Sequence, residues 1–257
     1  MIKILFGVFG FEIYRKRDRY RKRENLYDVL DQLLRKGFTP HTVIDVGVAY
    51  GTHVLYEEFP SAKHLLIEPL REYKEYLKKI SKKYDAEYVL AAAGAKSGKV
   101  FINVHPDLVG SSLFKEEEGP LVDGTPREVP VVTLDELCME KNLQGPYLIK
   151  IDTQGSELEV LDGSRKILED TEFIVLEVQL FQFFINGPQF YDVVSYMKKY
   201  GFVVYDISGI YYRPLDNALA GVDVSFVKEH GQFRESHSFA TEEQRKHLTR
   251  ELLTDKS

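Results

Sequence analysis

Five acidic positions in this chain stand where chemistry is done. Asp45, Glu68, Asp152 and Glu177 each sit at or near the end of a short apolar run, and Glu157 follows Asp152 in Lys150-Ile151-Asp152-Thr153-Gln154-Gly155-Ser156-Glu157. The first run continues Asp45-Val46-Gly47-Val48-Ala49-Tyr50-Gly51. Small residues at 47, 49 and 51 let the backbone turn tightly and approach a ligand. The second run ends Glu68-Pro69, and a carboxylate there suits the two hydroxyls of a ribose. Gly47 and Gly51 are separated by three residues, so the spacing is not the G-x-G-x-x-G of dinucleotide sites. A nicotinamide enzyme is excluded on that ground. The pattern suits S-adenosylmethionine better, which has a ribose and an amino-acid tail but no pyrophosphate. Each motif alone also reads as a chain turn and a helix cap.

Lys150 and Asp152 alternate with Ile149 and Ile151 and so share one face of a strand. A basic residue there needs a charged partner. Asp152 could orient a substrate, hold a metal or act as base. Glu177 lies among Val175, Leu176 and Val178, where an acid is either a site group or an edge residue facing water. His53 follows the glycine turn and His105 ends a later strand; both are candidate bases at neutral pH. Ser111 and Ser112 lie in a long loop placed to close over a ligand, and Ala91 and Ala92 end the third strand. Phe181, Phe183, Phe184, Tyr211 and Tyr212 follow Glu177 and could line an acceptor pocket, where aromatic faces suit sugar rings.

These residues need strands to carry them. Apolar runs of buried-strand type occur at 42–47, 64–69, 87–92, 99–105, 129–132, 147–152, 173–178, 202–207 and 222–227. Helical periodicity marks 24–36, 52–59, 70–84, 134–141, 156–168, 189–200 and 241–253. Strands alternating with helices predict an α/β fold with a mostly parallel, doubly wound sheet, its last strand antiparallel. Residues 106–127 read as a loop.

The motifs together resemble the FkbM family of S-adenosylmethionine-dependent methyltransferases. The resemblance rests on Ile44-Asp45-Val46-Gly47-x-x-x-Gly51, Ile67-Glu68-Pro69, Thr133-Leu134-Asp135, Lys150-Ile151-Asp152-x-x-Gly155-x-Glu157, Leu161-x-Gly163 and Leu176-Glu177. It spans roughly residues 40–230 and implies a Rossmann-like class I methyltransferase fold. It further implies an O-methyltransferase acting on a sugar hydroxyl of a glycan, a polysaccharide or a glycolipid-linked acceptor, with S-adenosylhomocysteine as product. The expected cofactor contacts are Asp45, Gly47, Val48, Ala49, Gly51, Glu68, Pro69, Ala91, Ala92, Ser111 and Asp152. The expected catalytic groups are Asp152, Glu177, His105 and His53. No metal ligand is expected, although a divalent ion is compatible with the acids. Two departures stand out: the family usually has Ala-Asn where Val48-Ala49-Tyr50 follow Gly47, and Glu where Gln154 stands. Gln154 keeps open a rival reading, a catalytically silent scaffold or regulatory protein that binds the same cofactor.

The charge is uneven. The chain of 257 residues carries a net −6, yet Arg15–Arg23 holds seven basic residues and one acid, leaving −12 on the other 248. So acidic a body is a poor nucleic-acid binder. The apolar start, 1–11, followed by that basic run, reads either as a peripheral membrane contact through residues 1–23 or as an arm packing on the domain or on a second copy. Neither a membrane span nor a signal peptide is expected, and a single cysteine, Cys138, fits a cytoplasmic setting. The expected organisation is an arm and helix over 1–40, a methyltransferase domain over 41–230 and a polar extension with a helix over 231–257.

Overall fold

The structure is a computed structural model that describes residues 22–119 and 122–254. A seven-stranded sheet forms its centre, built from β1 (Thr42–Val46), β2 (Lys63–Ile67), β3 (Ala86–Val89), β7 (Tyr147–Ile151), β8 (Thr171–Gln179), β9 (Phe202–Tyr212) and β10 (Leu219–Lys228). The order is β3-β2-β1-β7-β8-β10-β9. β10 runs antiparallel to both neighbours, and the other pairings are parallel. The predicted α/β class and antiparallel last strand are both present. That strand is not at the edge; it is inserted between β8 and β9.

Alternation along the strands divides the core into two layers. Val43, Leu66, Leu148, Phe173 and Val175 face α1 (Leu26–Arg35), α2 (His53–Glu58) and α3 (Lys74–Lys83). Ile44, Ile67, Ile149, Ile151, Ile174 and Leu176 face α4 (Leu134–Glu140), α5 (Glu157–Asp162) and α6 (Phe190–Lys199). α1 begins at Asn25, whose side chain caps Asp28, and its apolar face buries Val29, Leu30 and Leu33 completely. Phe233 packs edge-on against Phe38 and Phe173, at 5.6 and 6.1 Å. Both flanks of the predicted domain are thus bound into its core. A last helix, α7 (Glu242–Thr254), follows.

The middle of the chain departs from the expected pattern. The run expected as one strand over 87–92 is divided. Its first part joins the main sheet as β3, and β4 (Ala92–Ala93) pairs instead with β6 (Thr125–Val132) in a second sheet, completed by β5 (Gly98–Val104). β6 starts four residues before the expected position. Pro126 and Pro130 lie within it, and prolines in a run argue against a ladder. Here the antiparallel pairing with β5 carries the strand through both. The small sheet buries Ile102, Val104 and Val129 with Leu70 and Tyr73, forming a wall beside the tips of β1 and β2.

β1 and β7 lie at the centre, where strand order reverses, and their tips are locked together. Asp152 N–H donates to Val46 O at 3.0 Å, and Gly47 N–H donates to Ile67 O at 2.9 Å. Gly47 has φ +77°, and a Cβ built there would lie 1.8 Å from the Asp152 carbonyl oxygen. The chain can pass only if position 47 has no side chain. Gly47→Ala is therefore expected to destabilise the fold by about 3 kcal/mol or more. Urea unfolding followed by circular dichroism checks this, and a loss under 1 kcal/mol would show that the crossing relaxes freely.

Candidate active site

A cleft with about 630 Å³ of empty space, open to solvent, lies beyond the tips of β1, β2 and β7. Of the residues singled out in the sequence, Gly47, Ala49, Glu68, Pro69, Ala92, Ser111 and Asp152 line it. Glu68 is buried at one end, with Oε2 accepting from Ala49 N–H at 2.9 Å and Oε1 from Leu70 N–H at 2.8 Å. Burial pushes its carboxyl up to about 7. Ile102 of the small sheet, Leu108 and Leu113 of the loop after β5, and Tyr73 form an apolar wall. The cleft thus offers a carboxylate, a tight backbone turn and an apolar wall. A nucleoside bearing an amino-acid tail needs those three features.

Not every expected cofactor residue faces the cleft. Val48, Ala91 and Asp45 are buried in the protein, and Gly51 lies against Ile80 and His53. Asp45 works behind the wall. Its carboxylate accepts from Tyr56 Oη at 2.5 Å and Thr52 Oγ1 at 3.3 Å, and it lies 3.8 Å from Lys150 Nζ. His53 is exposed at the start of α2. His105 is paired with Asp107 at 2.7 Å, and its backbone N–H donates to Ser111 Oγ. Neither histidine lies beside Asp152.

Asp152 and Glu177 are brought together. Asp45, Lys150, Asp152, Glu177 and Asp223 sit on one face across four adjacent strands, with Lys150 opposite Asp45 and Glu177 opposite Asp223. Lys150 Nζ donates to Asp152 Oδ2 at 3.1 Å. Burial lowers the Lys150 ammonium's hold on its proton, but the charges of Asp152 and Asp45 outweigh this and raise it above the usual lysine range. Burial likewise pushes the Asp152 carboxyl up. The Lys150 charge and hydrogen bonds from Glu177, Lys150 and Gln154 prevail and keep it ionised, below the usual carboxylate range. Glu177 takes the opposite course, pushed up to about 9 by burial and then by the Asp152 charge. One carboxyl of the pair is ionised and the other holds a proton, which is how two buried acids share a site.

Further groups fix that pair. Gln154 Nε2 donates to Asp152 Oδ1 at 2.9 Å and lies 3.4 Å from Glu177 Oε2. Tyr211 Oη lies 3.0 Å from Glu177 Oε1 and 2.8 Å from Gln179 Oε1. Gln154 is held in the left-handed region, φ +53°, and its carbonyl accepts from Ser112 Oγ at 2.6 Å. Glu157 builds the same turn, Oε1 accepting from Thr153 N–H, Thr153 Oγ1 and Gly155 N–H. Among the described residues, no three His, Cys, Asp or Glu side chains form a group able to hold a metal ion.

Sequence reasoning missed Asp223, an acid in the apolar run 222–227. It carries the same signal that singled out Glu177. Tyr73 and the wall residues Ile102, Leu108 and Leu113 had no such signal, because their placement depends on the second sheet.

The Methyltransferase FkbM domain matches residues 45–204. Hexuronic acid methyltransferase AglP of Haloferax volcanii is 25% identical over 169 residues, which cover 65% of this chain and 66% of that protein. Among solved structures, a precorrin-6y C5,15-methyltransferase from Geobacter metallireducens GS-15 aligns with a TM-score of 0.42 at 14% identity, covering 85% of this chain and 94% of that one. Magnesium protoporphyrin IX methyltransferase of Synechocystis PCC 6803, with bound SAM, aligns with a TM-score of 0.43 at 10% identity over 88% and 95%. The domain match covers more than half of the sequence and includes the glycine turn, Glu68 and both acids of the pair; the chain belongs to the FkbM family of S-adenosylmethionine-dependent methyltransferases.

Proposed function

We propose that this chain transfers a methyl group from S-adenosylmethionine to a hydroxyl of a sugar, in a glycan, a polysaccharide or a glycolipid-linked acceptor. The observation that carries this reading is the unequal acid pair Asp152–Glu177 beside a cleft that ends at Glu68. The catalytic unit spans 41–230, with α1 and the segment around Phe233 packed onto it. The cofactor, when bound, supplies an already activated methyl group for in-line displacement. Glu68 accepts hydrogen bonds from ribose hydroxyls, and the turn Gly47–Ala49 borders the amino-acid tail. What remains for the protein is to align the acceptor and take its proton.

A sugar hydroxyl is a weak acid, so a base with an elevated pKa suits it better than one held low. Glu177 meets that need, and Asp152, anchored by Lys150 and Gln154, orients the acceptor and sets the Glu177 proton affinity. Tyr211 and the aromatic residues after Glu177 offer faces to a sugar ring. The name of the Haloferax relative, a hexuronic acid methyltransferase, supports a carbohydrate acceptor. The sequence of the basic run Arg15–Arg23 supports an acceptor presented at an anionic membrane surface. Arg23 pairs with Asp206 on β9, the strand that also carries exposed Ile210 and Tyr212 beside Tyr211. Residues 1–21 lie outside the described residues. Among the described residues no helix is long and apolar enough to cross a membrane.

Calorimetry with S-adenosylhomocysteine tests the cofactor half. Glu68→Ala is expected to weaken binding by about 1–3 kcal/mol, the cost of leaving two hydroxyls without an acceptor. In the unaltered protein, affinity should rise as pH increases through 7 and then level off, because the ionised Glu68 is the better acceptor and burial delays its ionisation. A flat profile would remove Glu68 from the ribose.

Turnover tests the acid pair. The base form of Glu177 grows as pH rises, so kcat/KM on a glycan acceptor should climb towards pH 9. Glu177→Gln is expected to abolish that limb. Asp152→Asn removes the charge that holds the Glu177 proton, so the limb should move to lower pH as the rate falls. Formation of S-adenosylhomocysteine from the methyl donor is the readout. Donor binding with no turnover on any glycan of a broad panel would favour the silent scaffold. Co-sedimentation with anionic vesicles at low salt should pull down the full chain and fail after deletion of residues 1–23; equal binding by both would refute the membrane role of the arm.

A further inference from the structure

Tyr73 lies in a single turn of 3₁₀ helix, Arg71–Tyr73, five residues after Glu68. Its ring is 2% exposed and packs with Leu70, Ala92, Ile102, Val104 and Val129. Those contacts explain an aromatic ring but not a phenol. The Tyr73 hydroxyl is buried and forms no well-directed hydrogen bond, with only the Tyr50 phenol adjoining it as a weak contact. A buried hydroxyl without a partner is destabilising, and phenylalanine would fill the same space without that cost. Tyr50 stands edge-on to the ring at 5.0 Å and also to Tyr76 at 5.0 Å, closing the outer side. On the inner side Tyr73 lines the cleft together with Glu68, Pro69 and Leu70.

The neighbouring carboxylate defines what the phenol is for. Each Glu68 oxygen already accepts one backbone N–H and has remaining capacity to accept more. In its ionised form it can take the protons of a vicinal diol, but it gives nothing to the diol's own oxygens. A diol buried in this cleft would need a donor as well as an acceptor. Tyr73 is a donor within the same wall, and burial keeps its proton on.

We propose that the Tyr73 hydroxyl is a cofactor-binding group that donates a hydrogen bond to one ribose hydroxyl oxygen of S-adenosylmethionine, opposite the acceptor Glu68. The inference rests on the cofactor reading above and adds to it a residue that no motif marks. Tyr73 is a positioning residue: it fixes the ribose, and through it the direction in which the methyl group is presented.

The test is calorimetry of Tyr73→Phe with three probes: S-adenosylhomocysteine and its 2′-deoxy and 3′-deoxy analogues. The variant keeps the ring and the packing. Thermal unfolding without ligand should therefore be unchanged or slightly higher, since an unpartnered hydroxyl has been removed. Affinity for S-adenosylhomocysteine should fall about tenfold. For the deoxy analogue lacking the hydroxyl that Tyr73 contacts, the fall should vanish, while the other analogue should show it in full. Unchanged affinity for S-adenosylhomocysteine overturns the proposal, and so does an equal loss with all three probes. Failure of the unaltered protein to bind S-adenosylhomocysteine overturns the cofactor reading as well. Binding by the unaltered protein with no effect of Tyr73→Phe overturns only the role of Tyr73.

Discussion

The Lys150 ammonium is the interaction on which the site depends. It is the one cation in a row of buried carboxyl groups that crosses four strands, 3.1 Å from Asp152 and 3.8 Å from Asp45. Without it, Asp152 would lose the charge that keeps it ionised at that depth. With it, Asp45 is free to hold Thr52 and Tyr56, which set the start of α2, and Asp152 becomes a fixed negative charge. That charge in turn keeps a proton on Glu177. A single ammonium thus anchors both the acid pair and the Asp45 contacts behind the glycine turn.

The family's signature residues divide by role once they are placed. Glu68, Asp152 and Glu177 face the cleft or the acid pair. Others build what those three need. Glu157 spends its carboxylate on the turn 153–155. Asp135 accepts from the backbone N–H groups of Lys166 and Ile167. Gly163 leaves room for the Gly94 carbonyl, which a Cβ would approach to 2.1 Å. Gln154, one of the two departures from the family pattern, places an amide where an acid would add a third carboxyl to Asp152 and Glu177. Its N–H₂ can donate to both, so the exchange lowers the repulsion within the pair.

The sheet was legible because buried parallel strands are near-continuous apolar runs, and an acid at the end of such a run is conspicuous. That signal found Asp45, Glu68, Asp152 and Glu177. It says where a carboxylate lies, not which way it is used: Asp45 turned out to support the site from behind. The wall of the cleft was not legible. It depends on β4 leaving the main sheet after two apolar residues and on β6 running through two prolines, and both follow from long-range pairing that local sequence does not encode. His53 and His105 were candidates for their residue type and their places after the glycine turn and at a strand end; His53 opens α2, and His105 pairs with Asp107.

β9 is where the two ends of the domain meet. It pairs with β10 inside the sheet, while Gly209 N–H on the same strand donates to Glu24 O and Asp206 binds Arg23. These contacts join residues more than 180 positions apart in the chain. Closing a loop of that length is entropically slow and comes after local structure has formed. Asp223 and Tyr211 lie on the same hairpin, so the acid row is completed by strands that come late in the chain. In chain order the glycine turn and Glu68 come well before the residues that complete the Asp152–Glu177 surroundings. The Glu68 end of the cleft and the acid pair are therefore completed from different parts of the chain.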